Sequence, residues 1–397
     1  MEMLSIPYIR FNKFDNEWFS KKLDLVSNVT MGQSPDSKNY TDNPNDYILV
    51  QGNADMQNGR IVPRVWTTQV TKLAEKGDLI LSVRAPVGDV GKTDYNVVLG
   101  RGVAAIRGND FLFYLLSRMK QTNYWAKFST GSTFESINSS DIKSAEICLP
   151  SQEEQTAIGS LFCTLDTLLS SYKDNLVNYQ SFKATMLSKM FPKAGQTVPE
   201  IRLEGFKGEW EKSKLKDVAH RVQGNDGRMD LPTLTISASG GWMNQIDRFS
   251  ANIAGKEQKN YTLLKQGELS YNHGNSKLAK YGVVFELQEY EEALVPKVYH
   301  SFRVNQLADA KFIEIMFSTK IPDRELGKLI SSGARMDGLL NISFDDFMNI
   351  SIIIPTIKEQ QAIGAYFSNL DKLISSYQEK ISQLETLKKK LLQDMFI

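Results

Sequence analysis

Apolar side chains recur every three or four residues through two long stretches of this chain. In the first, Ile158, Phe162, Leu165, Leu169, Tyr172, Leu176, Tyr179, Lys183, Met186 and Met190 form one seam. In the second, Ile363, Phe367, Leu370, Ile374, Tyr377, Ile381, Leu384, Lys388, Leu391 and Met395 repeat it. A spacing that averages 3.5 residues is the sequence form of a coiled coil, so two long helices are predicted. The first seam covers 33 residues, about 50 Å of helix at 1.5 Å per residue. Pro150 and Pro355 stand just ahead of the helices, where a missing N–H costs nothing. Ser151 or Thr356 can cap the start, and Glu154 or Glu359 suits the positive end of the helix dipole. Pro192 and Gly195 stop the first helix. Lys183 and Lys388 hold the same place in the two seams. A polar seam residue can fix register, or its stem can pack while the ammonium reaches water; the pattern leaves both readings open.

Around the seams the period changes to two. Strands are predicted at Tyr47–Val50, Asp78–Arg84, Asn96–Leu99, Val103–Arg107 and Ala145–Pro150, with a helix at Phe111–Leu116. The second mixed region repeats the alternation at Leu231–Ile236, Gly267–Tyr271, Tyr281–Leu287 and Ile350–Ile354, with a helix at Lys311–Phe317. The expected fold class is therefore α+β: two mixed domains separated by two long helices that form an antiparallel coiled coil. The expected boundaries are 1–149, helix 150–192, a second domain over 193–354 that includes a linker at 193–198, and helix 355–397.

The chain is an internal duplication. Leu149–Phe191 aligns without a gap on Ile354–Phe396, with 17 identities over 43 positions at an offset of 205. Pro-x-x-x-Glu-Gln-x-Ala-Ile-Gly occurs at Pro150–Gly159 and again at Pro355–Gly364. Ahead of each domain, Pro7-Tyr-Ile-Arg-Phe…Phe14…Glu17-Trp18 matches Pro199-Glu-Ile-Arg-Leu…Phe206…Glu209-Trp210 at an offset of 192. Lys76-Gly-Asp-Leu answers Gln266-Gly-Glu-Leu, and Thr130-Gly-Ser answers Ser332-Gly-Ala. Between these landmarks the two domains differ. A kept scaffold with a changed surface suits two domains that do one job on different targets.

Charge and cysteine content narrow the classes. With 397 residues, Lys+Arg 47 and Asp+Glu 46, the net charge is only +1. Bulk positive charge therefore does not hold this chain on nucleic acid, and any contact must come from local patches. The two cysteines, Cys148 and Cys163, give no disulfide framework and fit a reducing cytoplasm. The N-terminal region has no signal-peptide pattern, and the most apolar run, at Ile350–Pro355, is too short to span a bilayer. A soluble, cytoplasmic protein is expected.

Catalytic motifs are weak. Gly88-Asp-Val-Gly-Lys92-Thr93 resembles the end of a phosphate-binding loop, but Pro86 stands where its first glycine belongs and a strand pattern follows instead of a helix; it reads as a turn. His220, His273 and His300 are scattered, so no metal site is expected. Neither a nucleophile elbow nor an Asn-Pro-Pro-Tyr-type methyltransferase motif is present.

The alternation of variable domain and repeated helix resembles the specificity subunits of type I restriction–modification systems. So do the helix openings at Pro150 and Pro355, the domain lead-ins at Pro7 and Pro199, and the run Gly77-Asp-Leu-Ile-Leu-Ser-Val-Arg-Ala-Pro-Val-Gly88. The resemblance covers the whole chain. It implies two target recognition domains, each reading half of a split double-stranded DNA site, with antiparallel helices as the spacer. It also implies two methyltransferase subunits carrying S-adenosylmethionine and two motor–nuclease subunits using ATP and Mg. No cofactor or membrane contact is expected of this chain itself, which would be non-catalytic. A self-sufficient restriction or modification enzyme and a purely structural coiled-coil adaptor are the competing classes.

Candidate DNA contacts follow from chemistry: Arg and Lys suit guanine, Asn and Gln suit adenine, and hydroxyls suit phosphate. In the first domain these are Gln33, Ser34, Arg84, Lys92, Arg101 and Thr133. In the second they are Gln245, Arg248, Lys256, Lys259, His273, Asn275, Lys277 and Arg335. Each basic residue alone could equally be a solvated surface charge; glycine turns at strand ends make the groups more informative than their members. Trp18, Trp66, Trp125 and Trp210 are expected in the core.

Overall fold

The structure, a computed structural model, describes residues 6–128, 136–249, 255–274, 276–330 and 339–397. It divides into two compact units, Met1–Asp174 with Gln378–Ile397, and Asn175–Tyr377. The division falls inside both long helices, Gln152–Lys189 and Ile357–Asp394. Each unit therefore holds one mixed domain, the first part of one helix and the last part of the other.

In the first unit a six-stranded sheet runs in the order Val29–Met31, Val103–Ile106, Leu79–Ser82, Val90–Lys92, Arg60–Ile61, Met56–Gln57. A five-stranded sheet joins Tyr47–Val50 to Val97–Leu99 in parallel, with Leu73–Ala74, Trp66–Thr67 and Tyr40–Thr41 beside them. In the second unit the strands Ala219–Arg221, His300–Val304, Leu269–Asn272 and Val283–Glu286 repeat the first four places of the larger sheet. The register repeats too: Leu79 faces Ile106 as Leu269 faces Phe302. The turns before the central strands share their bonding. Asp78 accepts from the Glu75 N–H at 2.9 Å and Glu268 from the Lys265 N–H at 2.9 Å, with Gly77 and Gly267 both at positive φ.

The predicted helices are Asp110–Gln121 and Ala310–Ser318, capped by the side chains of Asn109 and Asp309. Their apolar faces cover the sheets. The final strands of each domain stand where the sequence predicts them, but each closes a two-stranded ribbon whose first strand has no apolar period. Phe19–Lys22 pairs with Glu146–Leu149, and Glu211–Lys214 pairs with Ser351–Ile354. Neither Phe19-Ser-Lys-Lys nor Glu211-Lys-Ser-Lys alternates, because these strands are largely exposed.

Each core contains an aromatic triad built partly from a helix end. In the first unit Trp18, Phe111 and Phe396 lie 5.1–6.4 Å apart between ring centroids. In the second, Trp210, Phe312 and Phe191 lie 5.5–5.8 Å apart. The main chain repeats this: the Ile9 N–H donates to Asp394 O at 2.8 Å, and the Ile201 N–H to Lys189 O at 2.9 Å. Phe191 reaches the second domain through chain continuity; Phe396 reaches the first only through the tertiary fold.

The seam positions are all buried or half-buried. Within the first unit Lys388 pairs with Asp166, and Lys173 with Glu385 at 2.6 Å. Within the second, Lys183 pairs with Asp371, and the rings of Tyr179 and Tyr377 are 5.3 Å apart. In both units partner numbers fall as helix numbers rise, so the two helical segments run antiparallel. Each seam lysine is half-buried, and its ammonium is paired with a carboxylate on the facing helix.

Candidate nucleic-acid interface

The repeated motif residues are consumed by architecture. Glu154, 1% exposed at its side chain, accepts two bonds from Arg10 at 2.6 and 2.7 Å. Glu359, also 1% exposed, accepts two from Arg202 at 2.7 Å. Bidentate pairing satisfies both partners where burial would otherwise be costly. The following glutamine acts twice. The Gln155 amide donates to Pro150 O and accepts from Asn109, while that of Gln360 donates to Pro355 O and accepts from the Asp309 N–H. Gly159 then lets the first helix approach the Asp110 turn, since a Cβ there would sit 3.0 Å from the Phe111 nitrogen. Signature and lead-in are thus a clamp between helix and domain, and these side chains are unavailable to another molecule.

Four of the six candidate DNA contacts of the first domain gather at one end of the larger sheet. The Val83 N–H donates to Gly102 O, the Gly32 N–H to Val103 O, both at 2.9 Å, and the Arg101 N–H donates to Ser34 Oγ at 3.1 Å. These bonds bring Gln33, Ser34, Arg84 and Arg101 to the same strand ends. Gln33, Arg84 and Arg101 are exposed, and both arginines lack an ion pair among the described residues. Lys92 does not join them. It lies in the strand Val90–Lys92, with its ammonium 2.6 Å from Asp110 and only 28% of its side chain exposed. The same strand confirms that the Gly88–Thr93 motif is a turn and strand, without the helix a phosphate loop needs. Thr133 lies outside the described residues.

The second domain scatters its candidates more. Arg248, Lys256, Lys259 and Lys277 are exposed. Lys256 and Lys259 lie on either side of Gln258, whose main-chain carbonyl accepts from Asn225 at 3.1 Å and whose amide donates to Thr233 at 2.6 Å. Gln245 and His273 are corrections. Gln245 is 2% exposed at the start of a short helix, and His273 is 5% exposed with both ring nitrogens on main-chain carbonyls, so neither can reach a base edge. Asn275 and Arg335 lie outside the described residues.

Register identifies a residue that periodicity missed. The Val103 N–H donates to Gly100 O and the Tyr299 N–H to Pro296 O, so Arg101 and Lys297 occupy matching turns. Both are exposed. No shared sequence marks them, and only the hydrogen-bond pattern aligns them. Exposed Gln51, at the end of the neighbouring strand and bonded to the Tyr40 hydroxyl at 3.0 Å, was missed likewise. Its only sequence signal is a glutamine–glycine pair ending an apolar run. Trp18, Trp125 and Trp210 are buried core residues, and Trp66 is half-buried.

Among the described residues no group of His, Cys, Asp and Glu is arranged to hold a metal ion, and no helix is long and apolar enough to cross a membrane. The free thiols, Cys148 and Cys163, are both raised in pKa, chiefly by burial.

Comparison with known proteins agrees with this duplicated plan. The model of the type I restriction modification DNA specificity domain matches residues 15–179 and 207–386. The chain belongs to that family. It is 35% identical over 147 residues to the protein named as the type I restriction enzyme MjaX specificity subunit of Methanocaldococcus jannaschii, covering 36% of this chain and 34% of that protein. It is 26% identical over 175 residues to the MjaIX specificity subunit of the same organism, covering 41% and 40%. The chain thus spans well under half the length of these two relatives. A third, the MjaVIII specificity subunit of that organism, is 21% identical over 299 residues, covering 71% and 68%. Among solved structures, the type I restriction-modification S subunit from M. genitalium matches with a TM-score of 0.61 at 16% identity, covering 99% of both chains. A chain from a structural study of type I R-M complex assembly and conformational transition matches at 0.50 and 17%, covering 96% and 97%. At these identities the likeness is one of fold.

Proposed function

We propose that this chain is the non-catalytic DNA-reading subunit of a type I restriction–modification complex, in which each mixed domain reads one half of a split duplex site. One observation carries the reading: two sheets with the same strand order and register present different side chains at the same end. The first domain offers Arg84 and Arg101 where the second has Gly274 and Lys297. Strand ends fix such side chains rigidly, and Arg or Lys there can donate to guanine edges while neighbouring hydroxyls and amides hold phosphate.

The two helices would form one antiparallel coiled coil and set the gap between half-sites. Each has 38 residues, about 57 Å of helix. Supporting this are the half-buried seams and the paired lysines within each unit. The repeated outer helical surfaces would dock two methyltransferase subunits; two motor–nuclease subunits would complete a cytoplasmic complex. S-adenosylmethionine, ATP and Mg would bind those partners and not this chain.

The test is to co-express the chain with its methyltransferase partner and map methylated adenines by long-read sequencing. A split motif that vanishes when this chain is omitted is the expected result. A partner that binds yet leaves no motif would overturn the reading.

A further inference from the structure

Two histidines in the second domain stack on each other beneath the sheet end described above. The rings of His273 and His300 are 4.7 Å apart and 16° from parallel. His273 Nδ1 lies 2.7 Å from Leu340 O, and its Nε2 lies 2.8 Å from Val298 O. Both partners are main-chain carbonyls, so the ring bridges two separate segments from its opposite edges. His300 Nε2 donates to Ile342 O at 2.9 Å. Around the pair, the Tyr271 ring lies 5.9 Å from each imidazole, and the Arg221 guanidinium is held over Phe344, which packs on His300.

The first domain lacks this device. Backbone bonding equates Val83 with His273, since the Ile137 N–H donates to Val83 O as the Leu340 N–H donates to His273 O. The shared register equates Ala104 with His300 and Gly102 with Val298. In the first domain the Gly102 carbonyl is bonded by the Val83 main chain; in the second the Val298 carbonyl receives an imidazole. The main chain next to Lys297 is thus tied by a side chain to the segment beginning at Leu339.

We propose that His273 is a positioning residue for DNA reading by the second domain: its buried imidazole, seated between the Val298 and Leu340 carbonyls, fixes the Lys297 turn against Leu340. The inference rests on the proposed reading of split DNA. It goes further by naming a residue that acts on one half-site alone, through its neighbours and without touching DNA.

The test uses the full chain with its methyltransferase partner and duplex libraries randomised in one half of the mapped site at a time. His273→Val, which installs the first domain's residue, is expected to cut discrimination at the second domain's half by tenfold or more. Discrimination at the other half should be unchanged. His273→Gln, whose amide can still donate, should restore part of it, and this variant decides the matter if His273→Val does not fold. In the wild-type chain, amide hydrogen exchange at Tyr299 and Leu340 should be slow, and His273→Val should speed it. Equal loss at both halves, undiminished discrimination in both variants, or exchange unchanged in His273→Val would overturn the proposal. A wild-type chain that prefers no split site fails differently: it sinks the DNA-reading proposal, while the exchange measurement still judges the clamp.

Discussion

Single residues do the joining in this chain. Arg10 and Glu154 are nearly inaccessible, so Arg10→Ala would strand a buried carboxylate. Breaking such a pair costs about 3–5 kcal/mol, and thermal unfolding should report it in the first unit; an unchanged midpoint would show that water replaces the guanidinium. Gly159→Ala is expected to destabilise by about 1–3 kcal/mol, as overpacking does, because the added methyl meets the backbone at Phe111. His300 gives a pH signature. Burial lowers its pKa to about 4, so between that value and the ordinary 6.5 the unfolded chain binds the extra proton and stability rises with pH. The effect amounts to about 3 kcal/mol over that window. Glu286 and Glu314 work the other way, since burial raises both and their ionisation opposes folding as pH climbs. The clean measurement is therefore the difference between wild type and His300→Phe: it should grow from pH 4 to pH 7, and a flat difference would refute the assignment.

At the scale of elements, two symmetric ion pairs link the helices, Lys388 with Asp166 and Lys183 with Asp371. Asp166 also accepts from the Tyr114 hydroxyl at 2.7 Å, and Lys388 lies over that ring. In the second unit Glu314 lines the same pocket as Lys183 and Asp371. Lys183→Met with Asp371→Leu should fold with little change in stability, because a pair with side chains 30% and 44% exposed contributes only about 0–1 kcal/mol. Lys183→Met alone should destabilise, so the double-mutant cycle measures the coupling. Inserting four residues near the middle of both helices should lengthen the unread gap between half-sites in methylation maps. Folded protein with an unchanged gap would rule out the spacer role.

For the whole molecule, duplication makes the halves separable tests of one another. Exchanging Met1–Leu149 for the matching domain of a relative is expected to change one half-site and leave the other; a change in both would end the modular reading. The long helices, the domain strands with a buried face and the repeat itself were all legible in the sequence. Each depends on short-range period or identity: the seams through Ile158 and Ile363, the apolar run Leu79–Ser82, the offset that equates Glu154 with Glu359. The ribbons at Phe19–Lys22 and Glu211–Lys214 were not legible, because exposed strands have no apolar face to betray them. The site was only half legible. Residue type picked out Gln33, Arg84 and Arg101, which do converge, but equally picked Gln245 and His273, whose polar groups point inward. Composition fixes what a side chain can bond, and only packing decides whether water, protein or another molecule meets it. The sequence by itself therefore determined two domains, two helices and a shared scaffold. The tertiary structure alone decided that Phe396 returns to the first domain, that the signature glutamates clamp arginines, and that Lys297 answers Arg101, because those relations depend on hydrogen-bond register between segments far apart in the chain.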